Sequence, residues 1–349
     1  MYKKIKQEII EATNIVSYKI KYILAIIYFF GLLIGLNSCS TIDHISYNNH
    51  SHGTKVINNN QINLITYNIK AIYEKEQNQV DKLMEYINNE GFDFVIFQEL
   101  FNESTRDYII ENANTNHYST IIARVDYNSF PEFIFQDAGL FMMSSYPRMD
   151  LTDIEFENGI KNSNGVIHMI LEKEMSKSND FLANKSVMGA LFEISDVAKL
   201  FLFTTHVQAI GSTEIKEKQL MQIKNFIDTV VDDVLKSGKV KSSNNLIVLL
   251  AGDFNSNAYD QERFGRMHEL LGYPRDLHKE VHGVNKEHTF RFGSSNASRR
   301  FDYILSYDKI REISLKKVKA QSINAVDVTD DEGISISDHL GLKGYLNIK

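Results

Sequence analysis

Apolar residues recur along the chain with two periods, and the switches between them mark its elements. Ile62–Ile69 (INLITYNI) alternates apolar and polar, the pattern of a strand with one buried face. Val80, Leu83, Met84 and Ile87 fall at helical spacing, which predicts a helix over Gln79–Asn89 that ends at Gly91. Phe92–Leu100 (FDFVIFQEL) is a mostly apolar run, as expected of a strand covered on both faces. Ala138–Ser145, Met188–Ile194, Lys199–Val207 and Asn245–Phe254 read as further strands. Between the last two, Leu220, Ile223, Ile227, Val230 and Val234 form the stripe of a long amphipathic helix. Phe301–Tyr307 and Gly341–Ile348 supply closing strands. Strands in the majority, with helices long enough to cover a sheet face, predict two packed sheets flanked by helices.

Composition agrees with one sizeable core: 349 residues, 43% hydrophobic and 11% aromatic. With 24% charged residues, 18 Gly and only 3 Pro, a largely disordered chain is excluded. The net charge is −7, whereas a dedicated nucleic-acid binder carries a basic balance. A local basic groove stays open, because net charge describes solubility and steering rather than sites.

The first residues change the picture of where the chain works. Lys3, Lys4, Lys6, Lys19 and Lys21 precede the apolar run Ile23–Leu36, which is shorter than the ~20 residues of a membrane span. A basic stretch, a short apolar stretch and small residues before a cut form an export signal. Cys39, the only cysteine, follows at once, and Leu36–Cys39 resembles the lipobox of bacterial lipoproteins. That resemblance implies cleavage before Cys39 and its lipidation; an uncleaved anchor is the other reading. The expected organisation is a signal peptide at 1–38, a polar Asn- and His-rich tether at 39–60, and one folded domain at 61–349. The protein is then exported, either membrane-anchored as a lipoprotein or secreted.

The candidate chemistry gathers at strand ends. Asn68 ends the first strand and Glu99 the second; His206 with Gln208 follows another. Asp253 and Asn255 follow LIVLLAG, Asp302 opens a strand, and Asp338-His339 precedes the last. Ionisable groups at the ends of buried strands are costly unless paired, hydrogen-bonded or metal-bound. Singly each has an ordinary structural explanation, such as a satisfied core histidine for His206; several strand ends meeting in one pocket would supply the partners.

In order, N, QE, THxQ, GDFN, FDY and SDH resemble the endonuclease/exonuclease/phosphatase (DNase I-like) superfamily over Asn68–His339. The resemblance implies an α/β fold, a four-layer α/β/β/α sandwich of two mixed, mainly antiparallel sheets with the site at one end. It also implies a metal-dependent phosphodiesterase using Mg²⁺ or another divalent cation, with Glu99 as principal ligand, Asn68 nearby and Asp338 contributing. His339 would be the base, oriented by Asp302. Asp253 and Asn255 would position the water and a phosphoryl oxygen, and His206 would stabilise charge building on the phosphoryl group. Such roles suit the residues: hard cations take oxygen ligands, and imidazole exchanges protons near neutral pH.

Three segments resemble the sphingomyelinase branch: Gln98–Phe101 (QELF), Gln136–Pro147 (QDAGLFMMSSYP), and Ala183–Ile194 leading to TTHVQA. They imply hydrolysis of sphingomyelin or a related phospholipid by a monomer at a membrane surface. Lys185 is then a candidate phosphate contact, or else a solvated lysine at a strand start. No Trp is present to anchor the chain in a bilayer, and Phe290, Phe292 or the 130–135 loop could serve or simply pack in the core. Arg291, Arg299 and Arg300 could instead track a phosphate backbone, which keeps a secreted nuclease or another phosphodiesterase or phosphatase as the alternative, with nucleic acid the less favoured partner.

Overall fold

A computed structural model describes residues 60–125, 136–174, 182–291 and 299–349. The expected signal peptide, Cys39 and the tether to residue 59 lie outside the described residues, as do residues 126–135 and Phe292. In chain order the strands are β1 (Gln61–Ala71), β2 (Phe94–Leu100), β3 (Thr120–Ile122), β4 (Phe141–Ser144), β5 (Lys161–Ser163), β6 (Val166–Ile170), β7 (Ser186–Ser195), β8 (Ala198–His206), β9 (Leu246–Asp253), β10 (Arg275–Asp276), β11 (Asp302–Tyr307), β12 (Lys309–Ile310), β13 (Ile313–Ser314), β14 (Val318–Val326) and β15 (Gly341–Ile348). The helices are α1 (Gln77–Glu90), α2 (Glu103–Asn112), α3 (Thr213–Lys236), α4 (Gln261–Leu270) and α5 (Leu277–His282).

Two sheets carry the domain, one in the order β14-β15-β1-β2-β4-β3 and the other β10-β11-β9-β8-β7-β6-β5. Each holds one parallel pair near its middle, β1 with β2 and β8 with β9, and is otherwise antiparallel. Side chains alternate across a strand, so each central strand feeds two cores. Phe94 and Ile96 of β2 meet Leu200 and Leu202 of β8 and Ile247 and Leu249 of β9 between the sheets. Val95 and Phe97 face outward onto Val80, Leu83, Met84 and Ile87 of α1 and Ile109 of α2. Phe201 and Phe203 face the other way, onto Ile223, Phe226, Ile227 and Val230 of α3. Three apolar layers separate four layers of structure, the α/β/β/α sandwich. Burial on both faces explains why these strands read as apolar runs rather than alternations.

Local chemistry sets the helix ends. Ser212 caps α3 by accepting from the Ile215 amide, Asn102 caps α2 through the Thr105 amide, and Gly91 closes α1 in the left-handed region at φ +59°. The chain departs from the periodicity reading at α2, α4, α5 and β14. The buried face of α2 includes Thr105 and Arg106 beside two isoleucines, so no apolar stripe marks it. In β14 a register shift between Ala320 and Ser322 breaks the period of two. Among the described residues no helix is long and apolar enough to cross a membrane.

One buried group makes the fold acid-sensitive. His168 on β6 is fully buried, and neither ring nitrogen has a hydrogen-bond partner among the described residues. Burial, helped by the charge of Lys161, lowers it to about 3. Above pH ~6.5 the ring is neutral in both states and contributes no pH dependence. As pH falls below that value only the unfolded chain takes the proton, so stability drops until the folded value is reached. His168→Leu is therefore expected to change urea stability little from proton uptake at pH 8 but to gain about 2 kcal/mol on wild type by pH 5. A gap independent of pH would remove His168 as the cause.

Candidate active site

The C-terminal ends of β1, β2, β8 and β9 and the starts of β11 and β15 lie at one end of the sandwich. The registers pair Asn68 with Gln98, His206 with Asp253, and Asp253 with Asp302. There Asn68 Nδ2 donates to Glu99 Oε1 and to Asp253 Oδ2, both at 3.0 Å. His206 Nε2 lies 3.6 Å from Glu99 Oε1, 3.7 Å from Asp253 Oδ2 and 3.2 Å from Asn255 Nδ2. His339 Nδ1 meets Asp302 Oδ2 at 2.9 Å, and its Nε2 points to Asp253 Oδ2 at 3.6 Å. Asn68, Glu99, His206, Asp253, Asn255, Asp302 and His339 thus form one connected cluster.

The backbone bends to make it. Glu99 adopts φ +55° and Asn255 φ +47°, a region that non-glycine residues rarely occupy and that concentrates at functional sites. Gly252 of GDFN has φ +145°, and a Cβ there would lie 2.2 Å from the Thr205 carbonyl oxygen. The glycine lets β9 approach β8 and brings Asp253 beside His206. Beneath the cluster, Gln98 Nε2 donates to Thr66 Oγ1 (3.1 Å) and Thr204 Oγ1 (3.3 Å), which joins the two sheets. The last loop is tied down by Ser337, whose hydroxyl donates to the Asn68 carbonyl (2.7 Å) and accepts from the His339 amide (3.1 Å). Phe290, half-buried, packs edge-on against the His339 ring.

Burial and crowding set the charges. Burial first, then the Asp302 carboxylate, raises Asp253 to about 7 against the opposing pull of His339. Burial alone would lower His339, but Asp302 and Asp253 together raise it to about 10. Burial, with Lys185 and His339 adding positive field, holds His206 well below its ordinary value, so that ring is neutral. Three carboxylates converge here with two histidines, Asn68 turns its amide nitrogen toward them and its Oδ1 to the Lys70 amide, and Asp302 Oδ1 has no hydrogen-bond partner among the described residues. This oxygen-rich, negatively charged donor set fits a hard divalent cation.

The structure also places the remaining candidates. Asp338 pairs with Lys70 Nζ at 2.6 Å and stands outside the tight ligand sets. Gln208 spends its side chain on Glu174 and Ile210, a structural role. Lys185 is buried rather than solvated, close enough to His206 to depress it. The arginine cluster is dispersed: Arg300 is buried against Asp276 and over the Tyr303 ring, and Arg291 is bound to Asp327 and Ser335.

Sequence reasoning missed Arg106 and Asp137. Asp137 Oδ1 accepts from the Gly139 amide (2.7 Å), and Arg106 pairs with Asp137 (2.8 Å) while donating to the Leu100 carbonyl, one residue past Glu99. Gly139 in turn packs against Phe101 and the Glu99 Cα, so this buried pair underpins the bend at Glu99. No apolar period marks either residue, and although Asp137 lies in the Gln136–Pro147 segment that resembles sphingomyelinases, nothing in the sequence names Arg106 as its partner. Arg106→Met is expected to cost about 3–5 kcal/mol, since Asp137 would stay buried without its cation. Adding Asp137→Asn should recover part of the lost melting temperature; an undiminished loss would assign the effect to packing.

No sequence family matches the chain. An uncharacterised Dictyostelium discoideum protein is 27% identical over 207 residues, which span 52% of this chain and only 16% of that protein. Solved structures align far more completely. A mutant of Staphylococcus aureus beta toxin with bound magnesium ions matches at TM-score 0.55 and 18% identity, over 82% of this chain and 99% of its own. The chain has the DNase I-like fold. Sphingomyelinase C from Streptomyces griseocarneus shares this DNase I-like fold at TM-score 0.54 and 16% identity, over 82% and 99% of the two chains. D. rerio TDP2 in complex with a single-strand DNA product does so at 0.53 and 17%, with the same coverage. The fold expected from the ordered motifs is the fold found.

Proposed function

We propose that the protein is a divalent-metal-dependent phosphodiesterase that hydrolyses sphingomyelin or a related phospholipid at a membrane surface, releasing the phosphorylated headgroup. The observation that carries the hydrolase reading is the buried cluster joining Asn68, Glu99, His206, Asp253, Asn255, Asp302 and His339. Glu99, with Asn68 beside it, would hold the cation; Asp338 would contribute only on leaving Lys70. When bound, the cation would neutralise phosphate charge, and its positive field would lower His339 toward the neutral form a base needs.

The residues then divide the work. Asp302 holds the His339 ring through Nδ1 and leaves Nε2 facing Asp253, where a water would lose its proton. Asp253 and Asn255 orient that water and a phosphoryl oxygen. His206, with Lys185 behind it, stabilises negative charge growing on the phosphoryl group.

The lipid preference is supported by spatial neighbourhood. Phe101 packs on Gly139, and Gln136 exchanges backbone hydrogen bonds with Leu182 and Asn184. The three segments that resemble sphingomyelinases therefore line one wall beside Glu99 and His206. The arginines that favoured nucleic acid are largely engaged elsewhere, although the TDP2 complex with single-strand DNA has a comparable fold match. An exported, lipid-anchored chain would need no aromatic insertion device. The deciding experiment presents the full-length protein and Mg²⁺ with sphingomyelin liposomes and, in parallel, single-stranded and plasmid DNA. Phosphocholine release that EDTA abolishes is expected; DNA cleavage without lipid turnover would replace this reading with a nuclease.

A further inference from the structure

Among the described residues, three sets of ligand-type side chains have donor atoms all within 4.8 Å of one another, and two of these sets overlap in the catalytic cluster. The third, His278, His282 and Glu287, is built elsewhere, on α5 and the loop that follows it. We infer that these three residues form a second metal site, one that takes a late first-row divalent ion of the Zn²⁺ class and clips α5, its loop and β14 together.

The local sequence makes the site. His278 and His282 stand four apart, so they share one face of α5, and their rings stack at 4.3 Å with planes 27° apart. Gly283 ends the helix at φ +60°, a conformation open to glycine, and turns the chain back. Glu287 is then held by its own backbone: its amide donates to the Tyr259 hydroxyl at 2.8 Å, and that hydroxyl donates to its carbonyl. The Glu287 side chain is thereby presented to both imidazoles, Oε2 lying 2.9 Å from His278 Nε2 and 3.6 Å from His282 Nε2.

Those separations are the quantitative argument. Ligands bound at ~2.0–2.1 Å in a tetrahedron stand about 3.3 Å apart, and the two observed distances bracket that value. The Ile323 carbonyl of β14 also faces His282 Nε2 and could complete the set as an oxygen donor. Two imidazoles with one carboxylate select Zn²⁺, Co²⁺ or Ni²⁺ over Mg²⁺, which prefers all-oxygen surroundings. The two centres would therefore sort their metals by chemistry.

Cobalt reads the site directly. The full-length protein, carrying Glu99→Gln to weaken the catalytic cluster and stripped with chelator, is titrated with Co²⁺ while the visible absorption is followed. One equivalent should develop a tetrahedral-type band, which one equivalent of Zn²⁺ bleaches and millimolar Mg²⁺ leaves intact. His282→Ala, at a partly exposed position, should remove the band and the Zn²⁺-induced rise in melting temperature while leaving the circular dichroism spectrum unchanged. Glu287→Gln should weaken Co²⁺ binding at least tenfold. A band that survives His282→Ala, or no band in the starting protein, would overturn the assignment and leave the three residues as a hydrogen-bonded brace.

Discussion

Replacing His339 with glutamine is expected to lower kcat on sphingomyelin liposomes by about 10²–10⁴-fold, the range that positioned acid–base groups contribute. KM should change little, because the ring is buried at the strand ends and held by Asp302 rather than reaching for a headgroup. The partner should echo the loss. Asp302→Asn keeps the shape but removes the charge that, with Asp253, raises His339 to about 10. If His339→Gln retains more than about a tenth of wild-type kcat at saturating metal, the base lies elsewhere and Asp253 becomes the first residue to examine.

The second large effect is expected at Glu99. Glu99→Gln should abolish divalent-dependent turnover and weaken Mg²⁺ binding, measured by titration calorimetry, by 100-fold or more, since a hard cation loses its principal anionic ligand. The metal-free protein should melt at the same temperature or higher. Its carboxylate lies within the same ligand set as Asp253, and removing one negative charge relieves repulsion that no cation then offsets. A sharp fall in the metal-free melting temperature would mean that Glu99 holds the fold through Asn68 rather than serving a cation. Comparing the two variants separates proton transfer from metal binding: one keeps its Mg²⁺ affinity and loses rate, and the other loses both.

Much of this was legible in the chain itself because the central strands are buried on both faces. That burial writes the apolar runs ending in Glu99, His206 and Asp253, and a polar residue stopping such a run stands out. The ordering of these stops carried the fold, which is the one found. What stayed hidden has a common cause: interactions distant in sequence leave no period. Arg106 and Asp137 are a buried ion pair on separate elements, and Lys70 meets Asp338 from the far end of the chain. The partner of Arg300 stayed hidden for the same reason, since only the fold brings Asp276 against it. The Gly252 approach to Thr205 is likewise a property of two strands, visible only once they are paired.

The joining of Ser337 to the Asn68 carbonyl spans 269 residues, and the strand after it, β15, runs between β1 and β14 in the interior of its sheet. β15 and the turn before it are therefore needed to complete the first sheet and to set His339 in place. No N-terminal fragment can carry the chemistry, and such a high-separation topology should fold slowly, with activity emerging in a single late step. The cluster around Asp253 is complete only when the last strand closes.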